Sequence, residues 1–493
     1  MAVGIDIGGT NTDAAIVEEE VMTFKLPNEA GIEAVLKTLS SEVDLREEKV
    51  IVSTSLPLNT VLSRFHEVST LVLLIPGPGL NYRQVGFCLK GFVNHRGDVV
   101  EDIDETEVVD ALRNSNNDNV AIAGKFSIRN PILEEKVRKI ALRKFKDSKI
   151  CLSYHCLAVN YPLRINTTIV NAKIKESVSE LEKIVGKYSN YFFFYKGDGG
   201  IIPIEIAIQN PSLLYNSSPA AVAMGAIYLT NVENAVVVDI GGTTTDFVVV
   251  RNGKPAIVEN LSVAGMKTLI RCVDSFSIPF GGDSIVDSFI KPERKGVSAA
   301  FGGNHFTLTD SLNCCGCEIG NFTRSRDICR SRDIAEKAVR DYSSMVVNAL
   351  NNYKNLKIVL TGYLAEFLAP YIEEISGRKC IVPEHSEAVN AVGVAVSRVS
   401  MTLYARFDTA KKRAVFNGVV EEYDGRDDDD YLIELAKDRV TEMAISHGAM
   451  EEDVKDVRVV YFNSYNAVRG GVVIGRIADV VVQIEPGISV EFR

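Results

Sequence analysis

Ile5-Asp6-Ile7-Gly8-Gly9-Thr10-Asn11-Thr12-Asp13, at the start of the chain, returns about 230 residues later as Val238-Asp239-Ile240-Gly241-Gly242-Thr243-Thr244-Thr245-Asp246. The likeness runs from Gly4 to Val17 and from Val237 to Val250, aspartate against aspartate and Gly-Gly against Gly-Gly. Solenoid repeats are about 20 to 50 residues long, so a spacing this wide signals duplicated domains instead. Each copy reads as a hairpin: an apolar strand (2–7; 235–240), a Gly-Gly-Thr turn and a second apolar strand (13–17; 246–250).

The composition of that hairpin suits phosphate. Its glycines permit a tight turn and leave no Cβ between the backbone N–H groups and a ligand. Gly8, Gly9, Thr10, Asn11 and Thr12 of the first copy and Gly241, Gly242, Thr243, Thr244 and Thr245 of the second are therefore the expected phosphate contacts. Asp6 and Asp239 each close an apolar strand just before the turn, and domains facing one another would bring both carboxylates to one cleft. Two such groups suit Mg²⁺ held largely through water. Hydrogen bonds to charged oxygens contribute about 1.5 to 3 kcal/mol each, so several donors bind ATP without a P-loop lysine. No Gly-x-x-x-x-Gly-Lys-Ser/Thr run is present, and no Gly-x-Gly-x-x-Gly follows a strand.

Outside the hairpins, helical periodicity is good over 32–39, 134–145, 164–184 and 334–350, and strand-like runs at 71–75, 120–123, 191–195 and 357–360 alternate with it, giving an α/β chain. At 493 residues several domains are expected: 1–225, a first half with an inserted substrate region; 226–404, a second half; and 405–493, a small α/β appendage. The aspartate run 427–430 before the amphipathic 431–446 reads as a solvated loop and helix cap.

A net charge of -11 argues against nucleic acid and anionic membrane as partners. With no secretory pattern at the start and no membrane-length apolar run, a cytoplasmic location is expected. The nine cysteines are then expected as reduced thiols. The Cys314, Cys315, Cys317 and Cys329 cluster has part of a metal-ligand spacing, but small buried apolar residues are the favoured reading.

Further runs carry a family resemblance: Phe126-Ser127-Ile128-Arg129-Asn130-Pro131, Arg164-Ile165-Asn166-Thr167-Thr168, Gly199-Gly200, Pro219-Ala220-Ala221, Gly281-Gly282-Asp283-Ser284 and Thr307-Leu308-Thr309-Asp310. In that order, over roughly 1–400, the chain resembles the hydantoinase A and oxoprolinase family, within the superfamily of acetate and sugar kinases, actin and heat-shock chaperones. The resemblance implies duplicated ribonuclease-H-like, actin-like ATPase domains around a nucleotide cleft. It also implies ATP-dependent opening of a small cyclic amide such as 5-oxoproline or a hydantoin, with room for a hydantoinase B-type second subunit or a homo-oligomer. Gly281 and Gly282, and the turn Gly362-Tyr363, stand where the superfamily holds the nucleotide.

Departures from the family pattern fall at 52–60, at Lys196-Gly197-Asp198, at Ser218-Pro219 and at Tyr363. Lys125, Arg129 and Asp198 are candidate amide contacts, with Lys125 in a catalytic role beside Asp6 and Asp239; ordinary loop charge is the alternative for each. A small-metabolite kinase and an ATP-driven reactivating protein acting on a protein partner remain as alternatives.

Overall fold

The computed structural model describes residues 1–9, 11–27, 31–54 and 65–492. Thr10 and the 55–60 part of the departing stretch lie outside these residues. Strand Ala2–Ile7 is buried along its whole length, as a strand covered on both faces must be, which explains its nearly unbroken apolar run. It pairs antiparallel with Asn11–Val17 and parallel with Lys49–Thr54. Val21–Pro27 flanks the first pair, and Phe192–Tyr195 continues the parallel side.

The second copy repeats this plan. Ala235–Ile240 pairs antiparallel with Thr245–Arg251 and parallel with Lys357–Thr361, beside which Cys380–Ile381 runs parallel. Lys254–Pro255 and Ser275–Ile278 share the outer edge of Thr245–Arg251. Numbered along each half, both sheets contain the order 3-2-1-4-5 of the ribonuclease-H-like fold, and in the first Ile201–Pro203 adds an antiparallel strand beyond the fifth.

An insertion separates the first sheet's fourth and fifth strands. Its own sheet is all parallel, ordered Ile150–Leu152, Asn119–Gly124, Thr70–Ile75, Phe87–Cys88. Helix Tyr161–Val185, started by the Asn160 side chain on the Leu163 N–H, joins the two bodies. Its first turns bury Tyr161 and Ile165 against Val72 and Leu74 of the insertion, and its later turns bury Val170, Ile174 and Val178 with Val50 and Val52 of the first sheet.

Beyond the second half, Thr402–Asp408, Arg413–Phe416, Val419–Glu422 and the long hairpin Val457–Arg469/Val472–Ile484 build a five-stranded antiparallel sheet. Helix Asp429–Ser446 covers it through Leu432, Ala436, Val440 and Ala444, one residue per turn. Asp428 caps that helix by accepting from the Tyr431 N–H. The insertion is tied to this appendage by charge: Arg96 grips Asp408 at 2.8 and 2.7 Å, and Arg406 holds Asp479 at 2.6 and 2.7 Å while donating to the His95 carbonyl.

Two helices cross where the halves meet, Ser217–Thr230 and Val389–Ala395. A Cβ on Gly393 would stand 1.9 Å from the Ala221 carbonyl oxygen and 2.5 Å from the Gly225 nitrogen, so glycine is what lets the two backbones touch. Val389–Ala395 also lies on Ala2–Ile7 and carries a piece distant in sequence onto the first sheet. Gly393→Val is expected to destabilise the fold by about 3 kcal/mol, at the upper end of ordinary overpacking, because the obstruction is backbone and cannot rotate away. The shift in urea midpoint measures it.

Candidate functional site

Asp6 and Asp239 occupy equivalent places. Asp6 stands opposite Asp13, and Asp239 opposite Asp246. Each turn closes the same way, the Gly8 N–H donating to the Asn11 carbonyl and the Gly241 N–H to that of Thr244, both at 3.0 Å.

Around the second hairpin, the Thr361 hydroxyl donates to Asp239 at 2.8 Å. Burial, followed by the nearby Asp246 charge, pushes the Asp239 carboxyl up to about 7. Burial also raises Asp246, opposed by the Ser277 and Thr244 hydroxyls. The Gly281-Gly282 loop lies directly on the turn: the Gly282 N–H donates to the Gly241 carbonyl at 2.9 Å and the Asp283 N–H to that of Gly242 at 2.8 Å. Gly362, at φ +91°, fits under Ile240, whose carbonyl oxygen would lie 2.3 Å from any Cβ. Its N–H donates to the Ser386 carbonyl at 2.7 Å.

The first hairpin is finished by helices from elsewhere in the chain. Asp6 is fully buried, and one of its oxygens, Oδ2, accepts from Ser218 at 2.7 Å and from the Asn390 amide at 2.8 Å. The same amide donates to Asp13 at 2.9 Å, and Lys25 pairs with Asp13 at 2.6 Å. Burial raises the Asp6 carboxyl and Asp13 adds to the effect, while the Ser218 and Asn390 hydrogen bonds work against it. The other oxygen, Oδ1, is buried with no hydrogen-bond partner among the described residues.

Lys25, paired with Asp13 of the first hairpin, and Gly362, packed on Ile240 of the second, donate to neighbouring carbonyls of one segment, Glu387 at 3.1 Å and Ser386 at 2.7 Å, which brings the surroundings of the two hairpins together. Whether Mg²⁺ suits this site turns on Asp6 Oδ1, an acceptor left open where buried acceptors are nearly always satisfied. Among the described residues no group of three or more His, Cys, Asp or Glu side chains forms a cage of its own. Mg²⁺ needs none: it is ordinarily held by one or two carboxylates, water and substrate phosphates. Asp6 and Asp239 fit it.

Residues 2–145 match the family model for the hydantoinase/oxoprolinase N-terminal region and residues 164–324 that for hydantoinase/oxoprolinase, together more than half of the chain. The chain belongs to the hydantoinase/oxoprolinase family. An uncharacterized protein of Methanocaldococcus jannaschii is 24% identical over 309 residues, 53% of this chain and 45% of its own length. Caprolactamase subunit alpha of Pseudomonas jessenii is 22% identical over 371 residues, 62% of this chain and 53% of its own. The chain thus spans about half the length of the curated relatives it matches. Among solved structures, nucleotide-free acetone carboxylase superposes with a TM-score of 0.66 at 17% identity, covering 99% of this chain and 88% of that one. The ATP-dependent caprolactamase from Pseudomonas jessenii superposes with a TM-score of 0.64 at 16% identity, covering 98% and 87%.

Within the hydantoinase/oxoprolinase fold, the residues expected at the site separate into groups. Gly8, Gly9, Asn11, Gly241, Gly242, Thr243, Thr244, Gly281, Gly282 and Gly362 belong to the two turns or pack on them. Thr12 and Thr245 are buried, and the Thr245 hydroxyl is engaged with the Phe280 carbonyl and the Tyr342 hydroxyl, at 2.8 and 2.5 Å, not turned to a ligand. Tyr363 is 43% exposed and meets Phe301 edge to face.

Lys125 follows the insertion's strand Asn119–Gly124 and has its ammonium over the Phe126 ring. Arg129 is buried against the appendage, on the His95 carbonyl and Asp479. Lys125 and Arg129 share the Phe126 ring, 5.0 and 4.9 Å from its centroid, while Asp198 pairs with Lys196 and Arg271.

The thiol expectation is corrected at one pair, because Cys314 and Cys329 form a disulfide. Cys315 and Cys317 pack half-buried at the edge of the second half's core. Ser218, Thr361 and Asn390 did not emerge from sequence as carboxylate partners. For Asp13 and Asp246 the duplicated motif itself was a usable signal.

In nucleotide-free protein, Asp239 holds its proton more tightly folded, near 7, than at its ordinary value of 3.8. The stability it contributes is complete below about 3.8 and is lost as pH rises through about 7. The thermal midpoint should therefore fall more steeply between those values in the wild type than in Asp239→Asn. Scanning fluorimetry of the two proteins checks this; equal slopes would place the proton elsewhere.

Proposed function

We propose that the cleft between the hairpins binds Mg-ATP and that the chain uses it to open a small cyclic amide of the 5-oxoproline or hydantoin type, working with a second subunit. The observation that carries the reading is the pair of matched Gly-Gly turns, each with a carboxylate at the end of the strand before it, and the buried Asp6 Oδ1 left open beside the first. Two relatives lend support by name: one is a caprolactamase, and both solved structures belong to ATP-dependent enzymes acting on carbonyl compounds. The word subunit in the caprolactamase name supports an assembly. The halves 1–225 and 226–404 would close on the nucleotide, with 405–493 as the appendage.

An amide carbonyl is a poor electrophile because nitrogen donates into it. In the proposed reaction its oxygen attacks the γ-phosphorus of ATP, the new O–P bond forms as the β,γ-bridging bond breaks, and ADP leaves. Water then adds to the activated carbon, the ring C–N bond breaks with its electron pair taking a proton at nitrogen, and a second water releases phosphate. Lactam, ATP and two waters thus give amino acid, ADP and phosphate.

The protein's part is placement. Turn N–H groups and the Thr243 and Thr244 hydroxyls would hold phosphate oxygens. Asp6 and Asp239 would hold Mg²⁺, which when bound supplies positive charge against the charge moving toward the leaving group. Ser218 and Asn390 keep Asp6 in orientation.

ATP turnover measured with a panel of lactams and hydantoins tests the reading. Stimulation by at least one ring, with ring-opened product, is expected, and Asp6→Asn and Asp239→Asn should each lower turnover by about 100-fold. Unchanged turnover in both variants overturns the two-hairpin site. A phosphorylated product without ring opening would point to a kinase instead.

A further inference from the structure

A cavity of about 250 Å³ opens away from the two turns, between the Lys196–Gly200 turn of the first half, the 253–271 segment of the second and the Glu485–Ile488 connection after the appendage's last strand. Its charged lining carries both signs. Arg271 stands 3.1 Å from Asp198 and 3.8 Å from Glu485, and Arg398 donates to the Glu485 carbonyl at 3.0 Å. Asp198 is itself buried and braced from behind by Lys196 at 3.1 Å. Met224 and Ile257 give the same cavity apolar wall.

A site for a simple anion would not place two carboxylates on its wall, and a site for a simple cation would not place two guanidinium groups and the Lys254 ammonium there. Opposite charges fixed on an apolar wall suit one molecule that bears both. The volume equals roughly eight waters at about 30 Å³ each, the size class of a free amino acid.

We propose that this cavity binds a small zwitterionic amino acid, its carboxylate on the Arg271 and Arg398 side and its ammonium toward Glu485. The site has a route to the first hairpin. Met224 lies on the same helix as Ser218, six residues and so about 9 Å farther along it, and Ser218 holds Asp6. An occupant that presses on Met224 acts on the helix that orients that carboxylate. The proposal does not need the lactam reading, although a ring-opened lactam falls in the same chemical class.

The test is calorimetric titration of the full nucleotide-free chain with two isomers, 5-aminopentanoate and L-norvaline, against pentanoate and pentylamine. At least one zwitterion should bind saturably and one to one, with both singly charged analogues about tenfold weaker or more. Which isomer binds separates an ω-amino acid source from an α-amino acid source. Arg271→Gln should weaken binding about tenfold, as loss of a charged hydrogen bond does. Ile257→Phe, which narrows the cavity and leaves every charge in place, should weaken it similarly and covers the case in which Arg271→Gln does not fold. Absence of saturable heat from both zwitterions, or full affinity in Ile257→Phe, overturns the proposal. Because no ATP is present, neither outcome depends on whether lactams stimulate turnover.

Discussion

Everything around the first hairpin depends on two helix backbones being able to touch. At the crossing of Ser217–Thr230 with Val389–Ala395, Gly225 and Gly393 face backbone carbonyls, those of Val389 and Ala221, which would lie 2.0 and 1.9 Å from any Cβ. The same short helix lies against Gly4, where a Cβ would come within 2.2 Å of the Ala391 oxygen. Sheet, helix and helix are thereby stacked at the smallest separation the backbone allows. That spacing delivers a hydroxyl from one helix and an amide from the other to a single oxygen of Asp6. Wider packing would leave the carboxylate buried with neither donor in reach, at a cost of several kcal/mol.

The protein treats its buried acids in two ways. Asp479 is saturated, with Arg406 on both oxygens, the Tyr404 hydroxyl and Arg129 beside them, and it joins the insertion to the appendage. Asp6 is half satisfied, one oxygen doubly bonded and the other open. A fully partnered buried acid has no free valence for a ligand and serves as a clamp; a half-partnered one is unfavourable until something binds. The contrast separates structural from functional carboxylates by geometry, without appeal to motif.

Legibility in sequence followed the range of the interaction. The hairpins, the helix 332–349 with its face of Ala335, Ala338, Val339, Tyr342 and Val346, and the capped helix at 429–446 are local patterns, and they folded as read. Ser218, Thr361 and Asn390 meet their carboxylates through pairings up to 384 positions apart, which no window of sequence contains. Arg129, beside a family landmark, is covered by an appendage whose docking is not written locally. Thr245 shows the same limit within the motif itself. Side chains alternate along a strand, and its hydroxyl turns inward to Tyr342.

The bond from Asn390 to Asp6 also orders events in time. Strands at the amino terminus can pair as soon as they leave the ribosome, yet the amide that orients their carboxylate is synthesised 384 residues later. At about 5 to 20 residues per second, the first half waits tens of seconds with its acid unpositioned. Nascent chains therefore pass through a stage with the fold of the first half but without its finished loop. Competence to grip a nucleotide there arrives late, as a property of the nearly completed polypeptide.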